Sequence, residues 1–190
     1  MRHIIQEARK EGGLTQADAA QRMFLGVRQY QRLEYGEQEM SPQEVVRLAE
    51  ILNCHTLTML YCRNNCAVGR QYSYAVLNNV DRSPQNILLK LYQVYQDAGE
   101  AIRCLLSTVI NKQERSDFTD GEGQGLTRAM HDLFDLEHTI ETLKIELGER
   151  QWCDIPQLVS EHNSKCYDRG YVTHGVVREV AQIYAYGDAG

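Results

Sequence analysis

Residues 14–36, LTQADAAQRMFLGVRQYQRLEYG, constrain the fold more than any other stretch of the chain. Thr15 stands before an alanine-containing run, where a hydroxyl side chain can cap a helix N-terminus, and that run reads as a helix to about residue 23. A second helix is expected over Val27–Tyr35, stopped by Gly36. Only Phe24, Leu25 and Gly26 separate the two, so they must cross at a tight turn. Ala20 is small where they would cross, and a larger residue would push them apart. Leu14, Ala19, Met23, Tyr30 and Leu33 supply the apolar face of a small core, which leaves Arg28, Gln29, Gln31 and Arg32 on the polar side of the second helix.

Flanking signals extend this pair to five helices. A helix over about 3–11 ends at Gly12-Gly13. Another, over 42–52, starts with Ser41-Pro42 and the capping-box pair Ser41 and Glu44, and carries Val45, Leu48, Ala49 and Leu52 on one face. A fifth, about 56–62, closes a first domain assigned to residues 1–66. Residues 67–82 lack a strong period and read as a linker, although Tyr72, Tyr74, Val76 and Leu77 suggest that part of it packs. Beyond it, Ser83-Pro84 opens a long apolar series at Ile87, Leu91, Val94 (or Tyr95), Ala98, Ile102, Leu105 and Val109. A second series follows at Leu126, Met130, Leu133, Ile140, Leu143 and Leu147, after a polar segment over 111–125 that contains the capping-box pair Thr119 and Glu122. Two long amphipathic helices around a loop make an antiparallel hairpin. Asp154 caps a further helix from Pro156 to about Tyr167, and residues 176–184 suit either a helix or a strand. The expected fold is all-α: a five-helix N-terminal domain and a hairpin-based helical domain over 83–190.

The anchors Leu14-Thr15-Gln16, Ala20, Leu33-Glu34, Gly36, Ser41-Pro42 and Leu48-Ala49 carry a family likeness. Over about residues 2–62 the chain resembles the Cro/repressor-type helix-turn-helix family, the xenobiotic-response-element-type regulators. The resemblance implies sequence-specific binding of double-stranded DNA, with the recognition helix at about 27–35 in the major groove. It implies a phosphate contact for Gln16. Arg28 and Arg32, one turn apart on one face, are the candidates for base readout, because a guanidinium offers a bidentate fork to guanine O6 and N7. Val27 is placed to touch a thymine methyl, Gln29 and Gln31 to reach bases or phosphates, and Arg22 to reach a phosphate. The chain departs from the family pattern at the turn: Phe24 stands where glycine is common, and Gly26 where serine or threonine usually caps. Phe24 must then pack outward or alter the turn.

The net charge of −6 looks unsuited to DNA until it is divided along the chain. Residues 1–66 hold eight Lys/Arg and eight Asp/Glu, whereas residues 67–190 hold twelve and eighteen. The DNA-facing part is thus neutral, which implies modest non-specific affinity. The acidic remainder suits protein contact, and homodimerisation through the C-terminal helices is expected. No apolar run approaches the ~18 residues of a membrane span, and the N-terminus lacks the apolar core of a signal peptide, so a cytoplasmic location is expected. The six cysteines are accordingly read as reduced thiols.

Other constellations are weaker. Cys54, His55, Cys62 and Cys66 are candidate metal ligands, although their spacing matches no common zinc module, and Cys54 suits a buried packing role. His131 and His138 share a helix face with acidic neighbours, which reads as a solvated surface. No phosphate loop, nucleophile elbow or HExxH is present, and neither an enzyme nor a cofactor is expected. Two alternatives stay open: a non-enzymatic adaptor or antitoxin-like regulator, and a metal- or redox-responsive regulator using the 54–66 cysteines.

Overall fold

The computed structural model describes residues 1–77 and 79–172. Among these the chain is all-α, with helices α1 (Arg2–Glu11), α2 (Gln16–Arg22), α3 (Val27–Tyr35), α4 (Pro42–Leu52), α5 (Thr56–Asn65), α6 (Ala67–Tyr72), α7 (Pro84–Val109), α8 (Asp120–Glu149) and α9 (Ile155–Asp168). It divides into two compact units, residues 1–149 and 150–190. In the second, the Asp154 carboxylate accepts from the Gln157 amide and caps α9, as the Asp-Ile-Pro sequence implies. The expectation for residues 176–184 lies outside the described residues. No described helix is long and apolar enough to cross a membrane.

In the first unit, α1–α5 enclose a core of Ile5, Ala8, Ala19, Ala20, Met23, Tyr30, Leu48, Ala49, Leu52 and Leu57. Ala20 is buried, consistent with a close crossing of α2 and α3, and Leu14 packs against the core from its rim. Local capping sets the helix starts. Thr15 and Asp18 close a capping box on α2, and Ser41 and Glu44 close one on α4. Gly36 ends α3 with φ 73°, the left-handed conformation that glycine adopts at little cost.

Helix α5 has no capping side chain of its own at His55. Its first turn is instead served by Glu149, the last residue of α8: one carboxylate oxygen accepts from the Thr56 amide at 2.9 Å and its hydroxyl at 2.8 Å. The Asn53 side chain donates to the Glu149 carbonyl, and Arg82 pairs with Glu146 at 2.8 Å. The five-helix domain is therefore pinned to the hairpin by buried and half-buried polar groups.

Several sequence expectations shift in detail. Helix α5 runs past residue 62, and part of the expected linker is the short helix α6. Gly69 of α6 lies so close to α5 that a Cβ would collide with the Cys62 carbonyl, which no turn or loop signal announces. Tyr74 does pack: its ring stacks on His138, with centroids 4.9 Å apart, and its hydroxyl donates to Glu137 at 2.7 Å. Ser83 occupies the N-cap position of α7 without a capping bond. Asp81 accepts from the Ser83 amide and the Asn86 side chain. The polar segment 111–125 is only partly loop, because the Thr119–Glu122 box starts α8 at Asp120.

The hairpin seam differs as well. Ile87, Val94, Ala98 and Ala101 of α7 are buried, while Ile102 and Val109, expected with them, are exposed. Ala98 and Ala101 are small enough for α8 to approach closely, which turns the buried stripe toward residue 101 and leaves Ile102 outside. Ile140, expected on the apolar face of α8, is also 41% exposed.

Replacing Glu149 with alanine should strip the acceptor from the Thr56 amide and hydroxyl together. The expected loss is about 1–3 kcal/mol, the cost of leaving such donors partly buried and unpaired, measured by urea denaturation followed by circular dichroism.

Candidate nucleic-acid interface

The turn that aims α3 is built from backbone bonds, since its side chains do not suit it. The Leu25 amide donates to the Ala20 carbonyl at 2.9 Å, and the Phe24 amide to the Gln21 carbonyl at 3.0 Å. Phe24 adopts φ 55° at a position where L-residues other than Gly, Asn and Asp are uncommon. Its ring packs outward, 80% exposed, with the Arg47 guanidinium 4.1 Å above its centroid. Gly26 caps α3 in extended backbone, φ −67° and ψ 147°, without a side-chain bond. Of the two outcomes posed for Phe24, outward packing is the one adopted, and α3 still begins at Val27.

Helix α3 is sharply two-sided. Tyr30, Leu33 and Glu34 are buried, while Val27, Arg28, Gln29 and Arg32 face solvent. Among the described residues the side chains of Arg28, Gln29 and Arg32 enter no hydrogen bond or ion pair. Gln16 and Gln31 are half-buried and tied to each other: the Gln31 amide nitrogen donates to the Gln16 oxygen at 2.9 Å. The Gln16 amide nitrogen in turn donates to Glu34 Oε1 at 2.9 Å and to the Tyr35 hydroxyl at 3.3 Å.

Glu34 is the centre of this network. Its carboxylate is fully shielded from solvent and receives Arg9 Nε at 2.8 Å and Nη2 at 3.2 Å. Arg9 Nη1 donates to the Leu14 carbonyl at 2.8 Å, so one guanidinium joins α1, the loop before α2, and α3. Burial alone would raise the Glu34 pKa, but the hydrogen bonds from Arg9 and Gln16 outweigh it and hold the carboxyl below its ordinary range. Burial, followed by the nearby Glu34 charge, pushes the Tyr30 phenol upward. The arrangement keeps a charged residue on the core side of α3 and frees two arginines on the other.

Residues 5–58 match the family described as helix-turn-helix. The N-terminal domain is a helix-turn-helix of the Cro/repressor type. This is a DNA-binding domain of the kind found in transcription regulators. No curated protein and no solved structure matches the chain. The helix-turn-helix match ends before the hairpin begins, so α7 and α8 must be read from their own surfaces.

The remaining sequence candidates separate. Cys54 packs against the core, and burial, followed by the charge of Glu149, pushes its thiol up to about 11. Burial, then Cys66 and Glu141, also raises Cys62. Raised thiols are the reverse of the activated thiolates that redox sensing uses. No three metal-ligating side chains converge among the described residues, so Cys54, His55, Cys62 and Cys66 do not assemble there into a ligand set. His131 is exposed as expected, whereas His138 is half-buried, with its ring stacked on Tyr74 and its Nε2 2.9 Å from the Ala75 carbonyl.

The Arg9–Glu34 pair escaped the sequence reading because its members lie on different helices, 25 residues apart. One signal was present: Glu34 falls directly beside Leu33, on the apolar face that Tyr30 and Leu33 define.

Arg9→Ala should cost about 3–5 kcal/mol, since it leaves the Glu34 carboxylate buried and unpaired. The folded Glu34 pKa lies below its unfolded value, so the pair stabilises the domain above the ordinary glutamate pKa of 4.5 and loses that contribution as pH falls through the depressed value. Chemical denaturation from pH 6 downward should show a steeper loss for wild type than for Glu34→Gln. Identical pH slopes would remove Glu34 from the account.

Proposed function

We propose that the chain is a sequence-specific transcription regulator that binds an operator as a homodimer, with α3 in the major groove. The observation that carries this reading is the division of α3. Glu34, Gln16 and Gln31 are occupied within the domain, while Arg28 and Arg32 are exposed and unpaired among the described residues. Being four residues apart, the two arginines project from one face about 6 Å from each other. Each can present a bidentate fork to guanine, and Val27, 43% exposed at the first turn, adds an apolar contact suited to a thymine methyl. Gln29 is free to reach a base edge or a phosphate. A phosphate contact from Gln16, at the first turn of α2, would take over the amide hydrogen that it now gives to the Tyr35 hydroxyl at 3.3 Å. Arg22 and Arg47 are exposed near the same turn and complete the phosphate-facing set.

A single head of this size reads only a few base pairs. Two heads related by a twofold axis read a palindrome with half-sites about 34 Å apart. The second unit and the hairpin hold the chain's excess of acidic residues, which keeps non-specific DNA binding to the first five helices.

Selection from random duplex DNA should enrich a twofold-related site. The Arg28→Ala/Arg32→Ala double variant should bind that site at least about 30-fold more weakly, at about 1–3 kcal/mol for each lost guanine contact, while keeping its fold and oligomeric state. No enrichment even at low salt, with protein partners still captured, would favour the adaptor reading.

A further inference from the structure

Helix α7 carries two apolar stripes, and the hairpin uses one of them. The stripe containing Ile87, Val94, Ala98 and Ala101 is buried against α8. Roughly a third of a turn round the helix, a second stripe runs through Leu88, Tyr92, Tyr95, Gly99, Ile102, Leu106 and Val109. Its steps alternate four and three, the 3.5-residue period of a coiled-coil seam. Its six side chains are all exposed, Leu88 by 52%, Tyr92 by 65%, Tyr95 by 66% and Leu106 by 63%. The seam is about 31 Å long.

We propose that this seam is the interface of the homodimer, formed by α7 against the α7 of a second copy running antiparallel. The proposal rests on the homodimer reading above and adds its surface, direction and register. Three observations select a second copy. First, the seam has a notch at Gly99, flanked by Tyr95 and Arg103, with nothing nearer than the Arg103 guanidinium to the place a Cβ would occupy. With the twofold axis between residues 100 and 101, Ile102 of each copy fills the other's notch. Tyr95 then faces Leu106 of the partner, and Tyr92 faces Val109. Second, Glu100 and Arg103 lie together on the flank away from α8. Only an antiparallel pair brings like flanks together, so Glu100 meets the second copy's Arg103 and the converse holds on the other side of the axis. A parallel pair would press Arg103 on the flank carrying Leu91, Ala98 and Leu105. Third, Leu89, near the start of α7 on the Glu100–Arg103 flank, and Ile110, the residue that follows α7 on that flank, are each 67% exposed. In this register each covers the other across the axis.

Sedimentation of the full chain should show a dimer. Ile102→Glu should weaken it at least 100-fold without loss of helical circular dichroism. Glu100→Arg and Arg103→Glu should each weaken it roughly tenfold, because each converts two attractions into two repulsions. The double exchange Glu100→Arg/Arg103→Glu should restore wild-type association, since every reversed charge again meets its opposite. A dimer indifferent to Ile102→Glu, or single exchanges that the double variant does not rescue, would overturn this interface and leave the homodimer reading standing. A chain that stays monomeric at every concentration would overturn both. Arg28→Ala/Arg32→Ala should sediment as wild type, which keeps failure of DNA reading separate from failure of assembly.

Discussion

A buried glutamate facing the core of a small helical domain is untenable unless its charge is met, and the N-terminal domain is arranged around meeting it. Arg9 closes on Glu34 with two nitrogens and spends its third on the Leu14 carbonyl, so a single guanidinium fixes α1 and the loop before α2 against α3. Gln16 gives the Glu34 carboxylate a third donor and is itself held by Gln31. Such a pair contributes little net stability over an apolar substitute, since desolvation consumes most of the attraction. Its use is positional. It fixes the rotation of α3 about its own axis, and the rotation decides that Arg28 and Arg32 point outward.

The turn before α3 would otherwise be the weak element. Phe24 holds a left-handed conformation that costs an L-residue about 1–2 kcal/mol, and Gly26 supplies no capping oxygen. Arg47 stacked on the exposed ring returns about 0.5–1 kcal/mol, and the Ala20–Leu25 backbone bond closes the turn. An unfavourable turn can persist because the packing of Ala19, Ala20, Met23 and Tyr30 over-determines where the two helices lie.

What the sequence discloses here is what short range encodes. The Thr15, Ser41, Thr119 and Asp154 caps, the Gly36 stop and the bounds of α3 and α4 follow from residues within four positions of each other. The outward face of α3 follows from its period. Pairings across distance were not legible: Arg9 with Glu34, and Thr56 with Glu149, 93 residues apart. A capping carboxylate delivered from another helix leaves no local mark except the absence of a good cap at His55. The seam of α7 misled for a different reason. With apolar residues at both 101 and 102, and again at 87 and 88, hydrophobic periodicity cannot say which stripe faces α8. Alanine at 98 and 101 decides it, through how closely two helices can approach, and that is a property of the pair.

The Glu149 junction gives the proposed interface its consequence for DNA reading. A flexible joint between the reading head and the hairpin would let two heads adopt many spacings, and dimerisation would then add local concentration but little geometric selectivity. Here the head is held to the C-terminal end of α8 through Thr56 and Asn53, and Arg82, just before α7, holds the same cluster through Glu146. Both ends of the clamp therefore move with the hairpin. An axis passing between residues 100 and 101 of two antiparallel α7 helices relates the two heads by a twofold rotation, the symmetry that a palindromic duplex site presents. In that arrangement the register of the seam sets the separation of the two α3 helices, and a shift by one heptad would move the heads relative to each other by about 10 Å, close to a third of the ~34 Å between half-sites. Under the proposed pairing, seam register and operator spacing become one variable, and the Gly99 notch that would receive Ile102 of the second copy is the position that sets it.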